Sequence, residues 1–209
     1  MCLCLYDGKT HAEKISEMEH EIIKYLSKHV SLTQEQTSII IESTFIRSFK
    51  KGTILLKEGD VSNECYFVFK GCIRSYVLRN GEDKTIAFYT EEQPVAPLSY
   101  GKETLSEHYL ECIEDTIASV GTPEKEKEMF QKYPQFESIC RVMSEVMGAN
   151  YQESFTNYML TTPGERYLNL LKTRPDLFQR VPQYQIASYL GIKPESLSRI
   201  RKRMMGKRE

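Results

Sequence analysis

The segment between residues 45 and 121 most constrains the fold, because short apolar runs alternate there with glycine-containing turns. Gly52 and Gly59 enclose one run, Lys70-Gly71 separates the next two, and Asn80-Gly81 ends an alternating run. Asn-Gly between alternating runs is the strongest short signal for a β-hairpin, because both residues tolerate a positive φ. Short strands with turn signals every ~8–12 residues are typical of an antiparallel barrel or sandwich. The sequence therefore predicts such a β domain over residues 45–121.

Helical periodicity flanks this segment on both sides. Residues 16–30 predict an amphipathic helix, and Thr33 with Gln36 forms a capping-box pattern that opens a second one. A longer helix is expected from Pro134 to Thr161. It carries a narrow apolar seam that begins with Phe136, Ile139, Met143, Val146 and Met147 and continues through Tyr151, Phe155 and Tyr158. A long helix with one seam is often a dimer contact, so the first five residues of the seam are the predicted interface. Packing of the helix on its own β domain is the alternative.

Charge is distributed unevenly along the chain, although the net charge is only −1. Residues 161–209 contain 11 Lys/Arg and 4 Asp/Glu, whereas residues 1–160 contain 17 and 25. A basic C-terminal module on an acidic body is typical of proteins that bind polyanions. A solvated basic tail is the alternative that charge alone leaves open.

The pattern inside the basic module favours DNA binding. In residues 183–203, Ala187 can stand where two helices cross, Gly191 can make a turn with positive φ, and Leu197 can pack back on the first helix. Ile186, Leu190, Ile192 and Ile200 complete a small core. This is the helix-turn-helix arrangement, for which an αα-hairpin without a ligand is the alternative. Thr162-Pro163-Gly164-Glu165 opens the preceding helix and predicts a hinge between the long helix and the DNA-binding part.

The second helix of this motif carries the predicted base contacts. Glu195 and Arg199 lie on its outer face, where Arg can bind guanine O6 and N7 and Glu can accept from cytosine N4. The predicted phosphate contacts lie near the starts of the two helices and at the basic end of the second. They are Gln183, Tyr184, Lys193, Ser196, Arg201, Lys202 and Arg203.

Taken together in this order and spacing, the motifs resemble the Crp/Fnr family of bacterial transcription regulators over nearly the whole chain. The resemblance rests on Lys51-Gly52, Leu55, Glu58-Gly59-Asp60, Tyr66-Phe67-Val68 and Lys70-Gly71 in the β domain, on the helix from Phe136 to Leu160, and on Leu190-Gly191-Ile192 with Glu195 and Arg199. It implies an α+β fold. An N-terminal antiparallel β-barrel of the jelly-roll, cyclic-nucleotide-binding type would span residues 1–134, a dimerisation helix 135–160, and a winged helix-turn-helix 161–209.

The resemblance also implies partners and a location. The protein would be a cytoplasmic homodimer that binds double-stranded DNA at a palindromic operator, with RNA polymerase as a further partner. The half-sites of such an operator lie about 34 Å apart along the duplex. The remaining competitor is a cyclic-nucleotide-responsive signalling module that acts through protein contact, with the C-terminal helices as an interaction tail.

The sequence departs from the cyclic-nucleotide-binding members of the family at the effector site. Those members carry a Phe-x-Gly-Glu turn and an Arg-Ser/Thr pair, but residues 92–108 lack the Gly-Glu and place Leu105 before Ser106. A buried phosphate without a bidentate cation loses its main charge-assisted partner. Binding of cAMP or cGMP is therefore not expected, and the effector is unknown. Leu98, Lys102, Ser106 and His108 are the candidate residues of an effector pocket.

Cofactor, enzymatic and membrane functions are not expected. The cysteines are scattered, which disfavours an iron–sulfur cluster, and a soft metal or haem at Cys2-x-Cys4 with His11 is the one alternative to a chain without a metal. The chain has no nucleophile–base pair, phosphate loop or paired metal ligands, so no catalytic residues are predicted. No apolar stretch approaches the ~18 residues of a membrane span.

Overall fold

The computed structural model describes residues 11–205 of the chain, and the side chains of residues 18–204. The helices in this range are α1 (His11–Ser27), α2 (Gln34–Ser43), α3 (Pro123–Lys132), α4 (Gln135–Leu160), α5 (Pro163–Thr173), α6 (Leu177–Arg180), α7 (Gln183–Tyr189) and α8 (Pro194–Met205). The strands are β1 (Ile46–Phe49), β2 (Ile54–Leu56), β3 (Cys65–Lys70), β4 (Ile73–Arg79), β5 (Glu82–Tyr89), β6 (Gln93–Val95), β7 (Tyr109–Cys112) and β8 (Thr116–Gly121). None of these helices is long and apolar enough to cross a membrane.

The eight strands, called the barrel below, form two antiparallel sheets in the orders β1-β8-β3-β6 and β2-β7-β4-β5. Consecutive strands alternate between the sheets except at the β4–β5 hairpin, which is the jelly-roll arrangement. Apolar side chains from both sheets fill the space between them, with Val68, Ile73, Cys112 and Ala118 fully buried. The expected jelly-roll barrel is confirmed.

The β4–β5 hairpin shows why the local sequence signal was strong. Arg79 pairs with Glu82, so Asn80 and Gly81 alone form the connection. Their φ angles are 55° and 79°, as a two-residue type I′ turn requires.

The N-terminal helices pack against the first turns of α4. The Thr33 hydroxyl accepts a hydrogen bond from the backbone N–H of Gln36, and the side-chain carbonyl of Gln36 accepts one from the backbone N–H of Thr33. These two bonds confirm the capping box. Ile39 of α2 lies in one apolar cluster with Phe136 and Ile139 of α4. Phe136 and Ile139 are only 2% and 7% exposed in the single chain, so their assignment to the dimer interface needs correction. The first part of the seam therefore packs against α2 within the single chain.

Residues 161–205, called the head below, form the four helices α5 to α8. The expected winged motif is wrong for this part of the chain, since these residues contain no strand. The reason is the periodicity, because apolar residues of the head recur mainly at helical spacing and do not sustain the alternation of a strand.

The head packs on the outer face of the sheet that contains β4 and β5, mainly through α7 against β5. Cys72, Phe88 and Ile113 of the barrel are buried in the same cluster as Leu177 and Ile186 of the head. The head and the barrel therefore share a continuous apolar core.

Candidate nucleic-acid interface

The helix-turn-helix is built as the sequence predicts. Gly191 has a φ of +70° in the turn between α7 and α8. Its N–H donates to the Ser188 carbonyl, and the next N–H, of Ile192, donates to the Ala187 carbonyl. Ala187 is fully buried, and Leu197 on α8 is 1% exposed. The turn and this core hold the two helices at a fixed crossing.

The outer face of α8 is open. Glu195 and Arg199 are both exposed. The Arg199 guanidinium makes two long hydrogen bonds inside its own helix, to the Glu195 carbonyl and the Ser196 hydroxyl, both at 3.4 Å. Bonds of this length are weak, so the guanidinium is free to reorient toward a ligand.

Ser198 is a further residue of this face that the sequence reasoning missed. It is exposed and lies three residues after Glu195 and next to Arg199. The helical spacing of three and four residues was the available signal, because such residues share one face. Lys202, predicted as a phosphate contact, extends the same face by one turn and is exposed.

The remaining predicted phosphate contacts lie around this face. Lys193 is exposed just before α8 and near Glu82 of the β4–β5 hairpin, whose pKa is lowered mainly by its hydrogen bond with Lys84 and in smaller part by Lys193. Arg201 donates to the Gln183 side chain, which links the end of α8 to the start of α7. The others are Tyr184 and Arg203, which are exposed, and Ser196, which is half-buried.

The junction between α4 and the head is tightly bonded. Thr162 caps α5 in a capping box with Glu165, as predicted. Arg166 donates to the carbonyls of Tyr158, Thr161 and Leu190, and its guanidinium lies 4.2 Å from the centre of the Tyr158 ring. The predicted hinge is thus connected directly to the turn of the helix-turn-helix.

The second half of α4 presents an exposed apolar face. Tyr151 is 43% exposed, Phe155 67%, Tyr158 44% and Met159 65%. Of the five predicted interface residues, Met143, Val146 and Met147 are half-buried. The surface available to a partner therefore lies further along α4 than the start of the seam.

The four candidate effector residues lie between β6 and β7 without converging on one another. Leu98 is 74% exposed, and the Lys102 ammonium donates to the Leu98 carbonyl at 3.0 Å. The buried Ser106 hydroxyl donates to the carbonyl of His108 and accepts from its N–H. Leu105, at the position where an arginine would bind a phosphate, is 62% exposed. The Lys102 ammonium and the Ser106 hydroxyl are used within the segment itself, whereas the backbone of Ser106 bonds to Gly59 and Asp60 in the β2–β3 loop.

The described cysteines behave as small apolar residues. Cys72 and Cys112 are fully buried free thiols, and burial raises the pKa of Cys72 to about 12 and that of Cys112 to about 11. Such thiols stay protonated and unreactive at neutral pH. Cys2, Cys4 and the side chain of His11, the alternative metal ligands, lie outside the described residues.

Comparison with known proteins agrees with this geometry. The family described as "Cyclic nucleotide-binding domain" matches residues 46–133. No curated protein sequence matches the chain.

Several solved structures share its fold. The catabolite activator protein of Thermus thermophilus is 16% identical, with 88% of this chain and 87% of that chain covered and a TM-score of 0.53. The global regulator CLP of Xanthomonas campestris is 15% identical, with 90% and 92% covered and a TM-score of 0.61. FixK2 of Bradyrhizobium japonicum is 18% identical, with 78% and 85% covered and a TM-score of 0.60. Residues 46–133 therefore resemble a cyclic nucleotide-binding domain, and the chain has the fold of these solved structures over most of its length.

Proposed function

We propose that the chain is a homodimeric, sequence-specific transcription regulator of the Crp/Fnr type that binds double-stranded DNA. The observation that carries this proposal is the outer face of α8, where Glu195, Ser198, Arg199 and Lys202 are exposed together. The opposite face of the same helix is anchored by the buried Leu197. An α-helix fits the major groove of B-DNA, and base reading requires polar side chains on a rigidly held helix. The matching structures include an activator and a global regulator, which supports a regulatory role.

Each residue of the face has a defined role in this proposal. Arg199 donates to guanine O6 and N7, Glu195 accepts from the N4 amino group of cytosine, and the Ser198 hydroxyl can donate or accept at a neighbouring base. Phosphate contacts set the position of the helix on the duplex. They come from Gln183, Tyr184, Lys193, Ser196, Arg201, Lys202 and Arg203.

The exposed apolar face of α4 supports the homodimer. Phe155 and Met159 are each about two-thirds exposed, and burial of such side chains is worth about 1.5–3 kcal/mol each. Paired α4 helices would place the two heads for a two-fold symmetric operator. RNA polymerase would be the partner of the DNA-bound dimer in the cytoplasm.

The barrel is proposed to sense an effector other than cAMP. Leu105 replaces the arginine that would bind a cyclic phosphate, and the nearby Lys102 ammonium is bonded to its own turn. Isothermal titration calorimetry with cAMP should show no binding heat at millimolar nucleotide. A second titration with c-di-GMP, to which CLP of Xanthomonas campestris responds, tests the other nucleotide that the comparisons suggest. Tight binding of cAMP would refute this part of the proposal.

A salt titration tests DNA binding itself. Binding to a random-sequence duplex should weaken as salt rises, with a log–log slope of about −0.9 per neutralised phosphate. Lys202→Ala should reduce the slope by about one phosphate, whereas Lys50→Ala on the barrel, which removes the same charge from an exposed pair with Asp115, should leave it unchanged. A signalling module that uses its C-terminal helices for protein contact would show no duplex binding at any salt concentration.

A further inference from the structure

Arg180, at the end of α6, connects the head to three separate turns of the barrel. Its guanidinium donates to the Glu114 carboxylate at 2.7–3.2 Å, to the Glu91 carboxylate at 2.8 and 2.9 Å, and to the Gly71 carbonyl at 2.8 Å. These acceptors lie in the β7–β8, β5–β6 and β3–β4 turns. One side chain of the head therefore binds three turns at one end of the barrel.

This arrangement is more specific than an ordinary surface ion pair. The side chains of Arg180 and Glu114 are only 22% and 28% exposed. Glu91 also accepts from the Gly71 N–H at 2.9 Å, which braces the two turns against each other. A planar guanidinium that binds two carboxylates through paired hydrogen bonds fixes their relative orientation as well as attracting them.

Contacts from two other parts of the head complete the attachment. Arg174, at the end of α5, donates to the Thr90 hydroxyl at 2.8 Å. On α7, the Ser188 hydroxyl accepts from the Thr85 N–H at 2.9 Å, and the Tyr189 ring lies 5.4 Å from that of Phe88. Attachment points on three successive segments leave the head no free rotation on the barrel.

We propose that Arg180, with Glu91 and Glu114, is a positioning clamp that selects the spacing between the two half-sites of the operator. This inference rests on the proposed function, DNA binding by a homodimer. The clamp fixes the orientation of each head on its barrel, and therefore fixes the separation of the two recognition helices in the dimer. Two linked heads gain affinity from simultaneous binding only when their separation matches the ligand.

The clamp lies outside the DNA-reading face, so the two properties can be separated. Arg180 is on α6, whereas the base-reading residues are on α8. A single head should therefore recognise one half-site equally well with or without the clamp. Loss of the clamp should affect only the discrimination among operators whose half-sites are differently spaced.

The experiment begins with selection of the operator by the wild-type protein from a random-sequence duplex library. Duplexes with the same half-sites, but spacers about two base pairs shorter or longer, are then compared with a single half-site by fluorescence anisotropy. The clamp is removed from the head by Arg180→Gln, and from the barrel by the double variant Glu91→Gln with Glu114→Gln. Arg47→Gln is the matched control, because it removes the same charge from an ion pair with Glu64 on the opposite sheet.

The wild-type protein and Arg47→Gln should prefer the selected spacer by about tenfold or more. Both clamp variants should show this preference reduced several-fold, with half-site affinity unchanged, because the remaining attachments hold the head less precisely. Full retention of spacer preference in both clamp variants would overturn the inference. Loss of half-site affinity in both would also overturn it, because the contacts would then serve the stability of the head. If Arg180→Gln fails to fold, the double variant decides, since it leaves the head sequence intact. A wild-type protein that binds no duplex refutes the proposed function instead.

Discussion

Replacement of Gly191 by alanine tests the geometry of the turn in the helix-turn-helix. Gly191 has a φ of +70°, and a Cβ at this position would lie 2.2 Å from the Tyr158 hydroxyl and 3.3 Å from the ring carbon that carries it. The substitution therefore combines backbone strain in the turn with a clash against the end of α4. Both effects act at the junction between the long helix and the head.

The expected cost follows from these two terms. A left-handed backbone conformation costs an L-residue about 1–2 kcal/mol. Relief of the clash requires the Tyr158 ring to move by more than an ångström at its hydroxyl, which disrupts its contact with Arg166, worth about 0.5–1 kcal/mol at an exposed site. Gly191→Ala should therefore lower the free energy of unfolding by about 1.5–3 kcal/mol. Tyr158→Phe in the same chain should recover about 0.5–1 kcal/mol, because only the milder 3.3 Å contact remains.

Urea denaturation followed by far-ultraviolet circular dichroism measures these differences, with every variant at the same protein concentration because unfolding of a dimer depends on concentration. Gly164→Ala is the matched control. A Cβ at Gly164 meets no atom within 4 Å and the residue lies in α5, so alanine there should be neutral or stabilising by up to about 1 kcal/mol. Equal stability of the Gly191→Ala and Gly164→Ala proteins would refute the reasoning.

Substitutions at four further positions test separate parts of the structure. Arg199→Ala should weaken binding to the selected operator by about 1–3 kcal/mol and relax the preference at one base pair, whereas equal weakening on every duplex in a competition assay would restrict Arg199 to backbone contacts. Leu197→Ala, at a side chain only 1% exposed, should lower the free energy of unfolding by about 2–5 kcal/mol, and an unchanged urea midpoint would contradict the described core. Thr162→Ala should lower the free energy of unfolding by about 1 kcal/mol in the same assay. Thr162→Ser should keep most of the wild-type stability, because the hydroxyl is the cap. Partial burial raises the pKa of Glu91, but hydrogen bonds from Arg180 and from backbone N–H groups outweigh it and lower the pKa below 4.5. The stability that Glu91 contributes is therefore complete above pH 4.5 and lost as the pH falls through the lowered pKa, so Glu91→Gln should flatten this part of an acid-unfolding curve. Superimposable curves would be inconsistent with this shift.

The parts of the fold that the sequence predicted well are those specified by local chemistry. The Asn80-Gly81 hairpin, the Thr33 and Thr162 caps and the Gly191 turn each depend on residues within a few positions of one another. Their conformations follow from positive φ or from an N-terminal hydroxyl, whatever packs around them. For the same reason, the two helices on either side of Gly191 could be predicted from the sequence.

The sequence alone could not show which apolar residues find partners inside the chain. Phe136 and Phe155 belong to the same seam of α4, yet one is 2% exposed and the other 67%. The difference comes from Ile39 and its neighbours on α2, which cover only the first turns of α4. Ser198 was missed because its helical spacing from Glu195 indicates a shared face, but this spacing does not distinguish a serine that meets a ligand from one that meets only solvent. The ligands of Arg180 are far apart in the sequence, so no local pattern pointed to them.

The shared core of head and barrel has a consequence for how the chain acquires its structure. Arg180 is 109 residues from the carbonyl of Gly71, and Ser188 is 105 residues from that of Asp83. Contacts at such separation form late, because a long loop must close before they contribute. During synthesis the helices of the head emerge after the barrel and complete their apolar cluster on Cys72, Phe88 and Ile113, which are already in place. The barrel thus serves as the folding template for the head, and the helix-turn-helix excised by itself would lack one wall of its interior.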